Sequence, residues 1–235
     1  MITKIIIDKK GNINYYKKGD FHSLFGVLKE KDIKSGIVKS NIDKEFLVFD
    51  ANFVDNIHEI KRGPATSHEK DIGLIIATTG IGLNSNVVDA GSGCGKLAAY
   101  LSKISCNVTS YEINNEFYEI AKQNIENLKL KVKLKNKNIY EGIEEKDLDL
   151  IMLDLLEPWK VTDHANKSLK SGAFLVAYLP TITQVIDFVK SLEDKFYIWK
   201  VSEVLEREWS VEGLKVRPKN QMLGHTAFLV FTRKI

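Results

Sequence analysis

Three glycines and two acids form the part of the chain best suited to chemistry. Gly91, Gly93 and Gly95 follow an apolar run that reaches Asp89, and Glu112 ends the next apolar run. Glycine has no Cβ, so the backbone can turn sharply and approach a ligand closely. An acid at the tip of the second strand can accept hydrogen bonds from ribose hydroxyls. The pattern predicts a nucleotide-binding βαβ unit.

The spacing of these glycines separates two classes of cofactor. The chain has Gly-x-Gly-x-Gly after Asp89, whereas the dinucleotide fingerprint is Gly-x-Gly-x-x-Gly, with its third glycine beside a pyrophosphate. This difference favours S-adenosylmethionine over NAD. The alternative is a glycine-rich turn that binds no ligand. The strand before the glycines, the helix-like run from Lys96 and the acid at Glu112 supply the context that favours a ligand.

A third acid, Asp154, ends a later apolar run and is followed by a loop that contains Pro158 and Trp159. Ligands of open α/β sheets lie beyond the carboxyl ends of the strands, so we expect Asp154 to project into the same crevice as the glycine loop. The alternative is that Asp154 caps the turn before a helix at residue 162. Trp159 offers a flat apolar wall for stacking.

A wound sheet must position these residues, and the apolar periodicity predicts one. Strands are expected at residues 86–90, 107–112, 130–135, 149–153, 173–179, 196–205 and 225–232, and helices at 96–104, 114–127, 162–169 and 182–191. The result is an α/β fold with a seven-stranded sheet and an antiparallel tail. Before residue 60, short β-rich pieces at 4–7, 13–16, 37–38 and 45–49 alternate with turn residues. We therefore expect a small β-rich domain over residues 1–60 and a cofactor-binding domain over residues 61–235.

A connector over residues 62–71 joins the two expected domains. Pro64 blocks helix formation there. Thr66 and Ser67 can cap a helix that begins at Ile72.

Composition limits the classes of protein that remain. The chain has 235 residues, 44% of them hydrophobic, a net charge of +3 and two cysteines. We expect Cys94 and Cys106 at opposite ends of neighbouring strands, too far apart to bridge, as reduced thiols with no metal site. No apolar run approaches the roughly 20 residues that cross a bilayer, and the first residues lack a signal-peptide pattern. We expect a cytoplasmic protein that does not enter membranes.

Beyond the glycine loop, several segments resemble one known family, the archaeal and bacterial tRNA adenine-N1 methyltransferases. These are class I S-adenosylmethionine enzymes that methylate an adenine in the T-arm of tRNA, usually at position 58 and in some archaeal members also at 57. The resemblance includes Phe21-His22-Ser23, Lys70-Asp71, the glycine loop, Tyr111-Glu112, Asp154 to Val161, Leu175 to Val185, Arg207-Glu208-Trp209 and Gly224 to Val230. The Glu-Pro-Trp, Tyr-Leu-Pro and Gly-His-Thr segments select this family.

The resemblance implies a class I, Rossmann-like fold, tRNA as partner and a homotetramer. It assigns cofactor binding to Asp89, Gly91, Gly93, Cys94, Gly95, Lys96, Leu97, Glu112, Phe117, Asn138, Ile139 and Asp154. Asp154 would lie where methyl donor and target base meet, and it could accept a hydrogen bond from the adenine amino group. Family members commonly have Tyr-Pro-Lys-Asp where this chain has His68-Glu69-Lys70-Asp71. His68 is thus a second catalytic candidate, and a solvated connector histidine is the alternative.

The base-pairing edge carries N1, so the target nucleotide must be turned out of its stack and the enzyme must hold a folded RNA. We expect an RNA surface formed by Lys61, Arg62, Arg217 and Lys219. Alternating lysines from Lys129 to Lys137 predict an edge strand with a cationic face, which is either solvated or in contact with RNA. Phe196, Trp199 and Trp209 serve either subunit association or packing within the domain.

Three functions remain open from the sequence. The favoured one is a catalytic tRNA methyltransferase. The second is a non-catalytic tRNA-binding subunit paired with a catalytic paralogue, and intact Asp89, Glu112 and Asp154 argue against it. The third is a small-molecule methyltransferase of the corrin-precursor type, which would need neither the N-terminal domain nor the Glu-Pro-Trp segment.

Overall fold

The computed structural model describes residues 1–63 and 66–235. Pro64, on which the predicted interruption of the connector depends, and Ala65 lie outside the described residues. The chain divides into two compact units, Met1–Lys61 and Arg62–Ile235. Each unit is described by itself.

The first unit is a small antiparallel β structure. Its elements are β1 (Lys4–Ile7), β2 (Ile13–Tyr16), β3 (Phe21–Ser23), β4 (Gly26–Leu28), β5 (Gly36–Lys39), β6 (Glu45–Asp50) and the helix α1 (Phe53–His58). Strands β2, β1, β6 and β5 form one sheet in that order, and β3 pairs with β4 in a separate ribbon. Ile6, Phe46 and Val48 are fully buried in its core. The sequence analysis missed β3, β4 and α1.

Local sequence explains two of these missed elements. Gly26 in β4 has φ +100, and a Cβ there would lie 2.7 Å from the side chains of Asn41 and Ser40, so only glycine fits. Asn52 caps α1 through Val54, and Asp55 bonds back to the Asn52 amide in a capping box. Such short elements give little periodic signal, because their boundaries are set by single turn and cap residues.

The second unit contains the wound sheet. Its elements are α2 (Glu69–Thr79), β7 (Asn86–Ala90), α3 (Lys96–Lys103), β8 (Asn107–Tyr111), α4 (Asn115–Asn127), β9 (Val132–Lys135), β10 (Leu148–Leu153), α5 (Thr162–Ser168), β11 (Leu169–Leu179), α6 (Ile182–Ser191), β12 (Phe196–Ser202), β13 (Trp209–Glu212), β14 (Lys215–Pro218) and β15 (Phe228–Lys234). In the described part of the chain, seven strands form one sheet in the order β12-β15-β11-β10-β7-β8-β9. This confirms the predicted α/β sheet.

The strand order places a topological switch point between β7 and β10. Strands β7, β8, β9, β10 and β11 pair in parallel, and β15 runs antiparallel to both β11 and β12. One face packs around Ile151, Leu175 and Phe188, and the other around Ile75, Leu101 and Phe231. Burial on both faces explains why the central strands are nearly continuous apolar runs.

The start of α2 differs from the prediction. The helix begins at Glu69, three residues before Ile72, and its N-cap is His68, whose side chain makes no capping hydrogen bond. The prediction that Thr66 or Ser67 caps this helix is therefore wrong. Glu69 and Asp71 place acidic groups in the first turn, where the helix dipole favours negative charge.

Four strand predictions also need correction. Strand β11 begins at Leu169 and not at residue 173, and β15 spans Phe228–Lys234 and not residues 225–232. Strand β9 begins at Val132, because Lys129 adopts a left-handed backbone with φ 56 and ends the preceding turn. The strand expected over residues 196–205 ends at Ser202, and a hairpin of β13 and β14 follows, which the sequence analysis missed. Gly213, at φ 56, lies in the turn of that hairpin.

Candidate active site

Three neighbouring strands end level with one another at one edge of the sheet. Leu153 of β10 pairs with Ala90 of β7, and Ala90 pairs with Tyr111 of β8. The next residues, Gly91, Glu112 and Asp154, therefore meet at the carboxyl edge. The Asp154 amide donates to the Ala90 carbonyl at 2.5 Å, which extends the pairing by one residue. The sequence prediction that these three strand ends share a crevice is consistent with this register.

A cavity of about 370 Å³ opens at this edge. Seven of the predicted cofactor residues line it: Gly91, Gly93, Glu112, Phe117, Asn138, Ile139 and Asp154. Its remaining lining residues are Tyr111, Ile113, Lys137, Tyr140, Leu155, Leu156 and Glu157. Most of this wall is apolar or aromatic, and the carboxylates are gathered where the glycine loop passes.

Glu112 is held in place by two backbone amides. The Gly93 amide donates to its Oε2 at 2.9 Å, and the Asn114 amide donates to its Oε1 at 2.9 Å. Each carboxylate oxygen has further acceptor capacity, so Glu112 can bind a pair of hydroxyls while it keeps both amide bonds. A ribose offers such a pair. Gly91 lies alongside, where a Cβ would be 3.6 Å from Glu112 Oε2 and 3.4 Å from the Asp154 carbonyl.

Asp154 is partly buried at the cavity wall, and its environment disfavours its negative charge. Burial, and then the nearby charge of Glu112, raise the pKa of Asp154 to about 6. Its alternative role as a helix cap is wrong, because α5 begins at Thr162 with Val161 at the N-cap. With a pKa of about 6, Asp154 is mostly ionised at neutral pH. A bound cation would stabilise its negative charge.

Asp89 lies behind the glycine loop. It is 1% exposed, and the Ser110 hydroxyl donates to its Oδ2 at 2.6 Å. The pKa of Asp89 is raised to about 7. Burial is the main cause, the charges of Asp154 and Glu112 add to it, and the Ser110 hydrogen bond acts in the opposite direction. Ser110 is in turn hydrogen-bonded to the hydroxyl of Ser92 in the glycine loop, at 2.5 Å. Asp89 therefore supports the loop through these two serines.

The other glycine-loop residues turn their side chains away from the cavity. Cys94 is buried, and its carbonyl accepts from Asn124 Nδ2 at 2.9 Å. Gly95 has φ +80, and a Cβ there would lie 3.3 Å from Ala121 Cβ. Leu97 packs in the core, and Lys96 Nζ pairs with Glu69 Oε1 at 2.7 Å. Backbone atoms of this segment therefore remain for a ligand.

Phe117, Asn138 and Ile139 form the far wall. Asn138 caps a short 3-10 turn, with its Oδ1 accepting from the Tyr140 amide at 3.0 Å. A carbonyl oxygen has a second lone pair, so Asn138 can also accept from an amino group. Phe117 and the buried Ile139 present apolar surface to the same space.

These features fit S-adenosylmethionine. The apolar wall suits an adenine ring, the amide-held Glu112 suits a ribose, and the group of carboxylates suits the positive charge of a sulfonium. The described residues include no group of three or more His, Cys, Asp or Glu that could hold a metal ion. Cys94 and Cys106 are free thiols, as the sequence predicted.

His68 lies at a different cavity, of about 640 Å³. It shares that lining with Arg217 and Lys219 of the predicted RNA surface and with Glu69 and Lys70. The structure therefore does not place His68 and Asp154 on the wall of one cavity. Lys219 pairs with Glu208, while Arg217 lies on β14 and is exposed.

Lys61 and Arg62 are exposed, where the first unit ends and the second begins.

The lysines of β9 and its flanks are less available than predicted. The strand is at the sheet edge, as expected. However, Lys133 and Lys135 pair with Glu145, and Lys135 and Lys137 pair with Glu144. The sequence analysis counted only the lysines of the strand, and it missed that these acids fold back beside them. Three of the five predicted lysines are therefore paired with two acids, which lowers the positive charge of this face.

The aromatic residues near β12 differ in their surroundings. Phe196 is buried in the core. Trp199 is half exposed and makes an edge-to-face contact with Phe174, and the Arg233 guanidinium lies 5.3 Å from its ring. Trp209 on β13 is also half exposed. Packing within the unit thus accounts for Phe196 and for part of Trp199, but not for Trp209.

Several cavity residues were missed by sequence reasoning although a signal was present. Ile113 directly follows Glu112, and Leu155 and Leu156 directly follow Asp154. Residues that follow the carboxyl ends of parallel strands lie at the ligand edge. Tyr140 gave no such signal. It is placed by its hydroxyl, which accepts from the Glu157 amide at 3.2 Å.

No helix in the described ranges, 1–63 and 66–235, is both long and apolar enough to cross a membrane.

Comparisons with known proteins identify the family of this chain. Residues 66–217 match the family described as tRNA methyltransferase complex GCD14 subunit. The tRNA (adenine(57)-N(1)/adenine(58)-N(1))-methyltransferase TrmI of Methanocaldococcus jannaschii is 33% identical, over 98% of this chain and 94% of that protein.

Two solved structures are similar along nearly the whole chain. The tRNA (m1A58) methyltransferase TrmI from Aquifex aeolicus has a TM-score of 0.84 at 30% identity, covering 99% of this chain and 96% of its own. A SAM-dependent O-methyltransferase from Thermotoga maritima has a TM-score of 0.88 at 26% identity, covering 100% and 93%. The chain therefore has the class I methyltransferase fold and belongs to the GCD14 family of tRNA methyltransferases.

Proposed function

We propose that this protein is a tRNA methyltransferase that transfers a methyl group from S-adenosylmethionine to N1 of an adenine, at position 58 of the T-arm. The observation that supports this most is the meeting of Gly91, Glu112 and Asp154 at one cavity on the carboxyl edge of the sheet. The TrmI proteins of Methanocaldococcus jannaschii and Aquifex aeolicus, which match this chain over nearly their whole length, are named as methyltransferases of that same atom of tRNA.

The cofactor would be held by residues of the 370 Å³ cavity. Glu112 would bind the ribose hydroxyls, and Phe117 and Ile139 would flank the adenine ring. Asn138 would accept a hydrogen bond from the amino group of that adenine. When bound, S-adenosylmethionine supplies a methyl group that is already activated by the sulfonium. The protein then has to exclude water and orient the acceptor.

Asp154 is the residue we propose for catalysis. Adenine N1 carries a free lone pair and no proton, so the reaction needs no general base. The product base is cationic, and a fixed carboxylate that accepts a hydrogen bond from the amino group stabilises the charge as it develops. Asp154 must be ionised for this, and its pKa of about 6 leaves it ionised above that pH.

The RNA would contact Arg62, Arg217 and Lys219 of the second unit, and Lys61 at the end of the first. Arg217 and Lys219 support this proposal because they line the 640 Å³ cavity together with His68. We assign His68 to the acceptor side of the reaction, where an aromatic ring can stack on a base turned out of the helix.

The domain and assembly assignments are part of this proposal. The unit Met1–Lys61 corresponds to the N-terminal β domain, and Arg62–Ile235 to the methyltransferase domain. We propose a cytoplasmic homotetramer. Exposed apolar side chains on β12 and on the β13–β14 hairpin, including Tyr197, Trp199, Trp209, Val211 and Val216, support association through these elements.

One assay tests the function. The protein is incubated with labelled S-adenosylmethionine and unmodified tRNA transcript, and the methylated nucleotide is mapped. We expect N1-methyladenine at position 58, and loss of label in a transcript that lacks this adenine. A second labelled adenine at 57 would extend the activity to both positions.

Two outcomes would contradict the proposal. Cofactor binding without label in RNA would favour a small-molecule methyltransferase. No cofactor binding would favour a non-catalytic subunit.

A further inference from the structure

A polar cluster around one buried carboxylate joins three distant parts of the chain. Asp71 is 0% exposed, and its Oδ1 accepts from Lys70 Nζ at 2.8 Å. Its Oδ2 accepts from the Thr226 hydroxyl at 2.8 Å and from the Tyr178 hydroxyl at 3.0 Å. Lys70 Nζ also donates to the Thr226 hydroxyl oxygen at 2.6 Å. We name these four residues the Asp71 cluster.

The Asp71 cluster accounts for motifs to which the mechanism above gives no role. Lys70 and Asp71 open α2, Tyr178 lies near the end of β11, and Thr226 lies just before β15. The same segments, Lys-Asp, Tyr-Leu-Pro and Gly-His-Thr, were among those that carried the family resemblance. They are separated by as many as 156 positions, and the fold brings them to one carboxylate.

A second tie holds the segment before β15. The His225 ring lies between two acceptors, with Nδ1 2.9 Å from Glu203 Oε2 and Nε2 3.0 Å from the Pro180 carbonyl. The hydrogen bond with Glu203 raises the pKa of His225. His225 is thus bonded to Pro180, directly after β11, and Thr226 is bonded to Asp71 of α2. The loop that precedes these two residues is therefore held at its C-terminal end.

That loop is one wall of the 640 Å³ cavity. Residues 219–223 line one side of it, and His68, Glu69 and Lys70 line another. The Asp71 cluster therefore connects the two walls. It also lies close to the carboxyl edge of the sheet, because Ala177, next to Tyr178 on β11, pairs with Leu153, the residue before Asp154.

A buried ion pair is a poor way to stabilise a fold, since the cost of desolvating both charges offsets most of their attraction. A fully bonded polar network does specify one arrangement of the groups around it. Asp71 accepts three hydrogen bonds, and each donor comes from a different element or turn. The network is therefore better suited to setting geometry than to adding stability.

We propose that the Asp71 cluster positions the acceptor side of the active site, by fixing residues 219–223 against the first turn of α2 so that the cavity receives the target nucleotide. This rests on the proposed function. The cluster residues are positioning residues and not catalytic ones, because they act through the walls of the cavity.

The test compares Thr226→Val, which removes the hydroxyl at nearly constant shape, with Thr226→Ser, which keeps it. We expect Thr226→Val to raise the KM for tRNA about tenfold, as loss of hydrogen bonds to a charged group would. The Kd for S-adenosylmethionine should stay within about twofold, and Thr226→Ser should restore the KM. Tyr178→Phe should act in the same direction.

Thr232→Val is the matched control. Thr232 is a buried threonine on the adjoining strand β15, and its hydroxyl donates to the Leu175 carbonyl inside the sheet. We expect it to lower Tm without changing the KM for tRNA. An unchanged KM in Thr226→Val, or an equal change in Thr232→Val, would overturn the proposal.

Hydrogen exchange separates this proposal from the proposed function, because it needs no RNA. Thr226→Val should speed amide exchange in residues 219–226 and in the first turn of α2, whereas Thr232→Val should not. If the wild-type protein methylates no tRNA, the proposed function fails, and exchange alone decides whether the cluster fixes the wall. Unchanged exchange in residues 219–226 would then overturn it.

Discussion

The two cavities of the second unit treat their acidic residues in opposite ways. At the 370 Å³ cavity, Glu112 is bonded to backbone amides and the adjoining Asp89 to a hydroxyl, so their hydrogen bonds come from neutral donors. At the 640 Å³ cavity, Glu208 pairs with Lys219, Glu69 with Lys96, and the adjoining Asp71 with Lys70. Glu157, which also lines the first cavity, pairs with Lys160. The acids beside the glycine loop therefore keep negative charge for a ligand, whereas Glu208, Glu69 and Asp71 are balanced within the protein.

This difference indicates which ligand each cavity suits. A cationic cofactor gains most where a carboxylate's own surroundings disfavour its negative charge, and burial, followed by the charge of Glu112, raises the pKa of Asp154 to about 6. A polyanionic RNA would be repelled by such a group of acids. RNA binds better to a surface on which acidic side chains are already paired with lysines and an arginine is exposed.

The largest expected effect is on turnover. Asp154→Asn should lower kcat by about 10²–10³-fold, because the neutral amide stabilises developing positive charge less than a carboxylate does. Cofactor affinity should change much less. Single-turnover kinetics and cofactor titration measure the two separately. Turnover near that of the wild type would remove Asp154 from the mechanism and end the distinction drawn between the cavities.

Next in size is an effect on cofactor affinity. Glu112→Gln should weaken S-adenosylmethionine binding by about 30–100-fold, because it removes a charge and turns one acceptor into a donor. Isothermal titration measures this. The matched control is Glu116→Gln, an exposed position on α4. Equal losses in both variants would mean that the cavity acids are not specific to the ligand.

The raised pKa of Asp154 predicts a pH-dependent change in stability. A carboxyl whose folded pKa of about 6 exceeds its ordinary value of 3.8 binds more protons in the native state, so stability falls as pH rises from about 4 to 6. Asp154→Asn removes this loss. We expect the variant to gain about 1–3 kcal/mol in the free energy of unfolding at pH 7.5.

That gain should disappear below about pH 4, where Asp154 is protonated in both states. Urea unfolding at several pH values tests it. A variant that is less stable than the wild type at pH 7.5 would contradict the view that Asp154 carries an unfavourable charge for the sake of function.

The smallest effect concerns the salt dependence of tRNA binding. Arg62→Ala combined with Arg217→Ala should reduce the slope of log K against log salt by about 1–2, because each arginine that binds a phosphate adds roughly one to that slope. Lys219→Ala should change it less, because Lys219 already pairs with Glu208. A slope unchanged in the double variant would show that this surface is wrong.

Sequence periodicity located the sheet and the cofactor loop well. Strand β7 and helix α6 have the predicted bounds, and Gly91, Glu112 and Asp154 meet because parallel strands place their carboxyl ends together. These features depend on burial and on backbone geometry, and both produce a regular spacing of apolar residues and glycines in the sequence. The predicted edge position of β9 has the same origin.

Features that depend on pairing between distant side chains could not be predicted. The lysines of β9 were counted without Glu144 and Glu145, and nothing in the sequence links Asp71 to Thr226. His68 was grouped with Asp154 by family resemblance, but it lines the other cavity. Such contacts are fixed by the three-dimensional path of the chain, and no local spacing encodes them.

The reversed direction of β15 has a practical consequence. Its first residue, Phe228, pairs with Leu179 at the reactive edge, and its last residue, Lys234, pairs with Phe196 at the opposite edge. A fluorophore or surface tether attached at Ile235 is therefore held away from both cavities, whereas one inserted between Leu223 and Phe228 would disturb the anchored loop. Ligand titrations on immobilised protein should use the former attachment point.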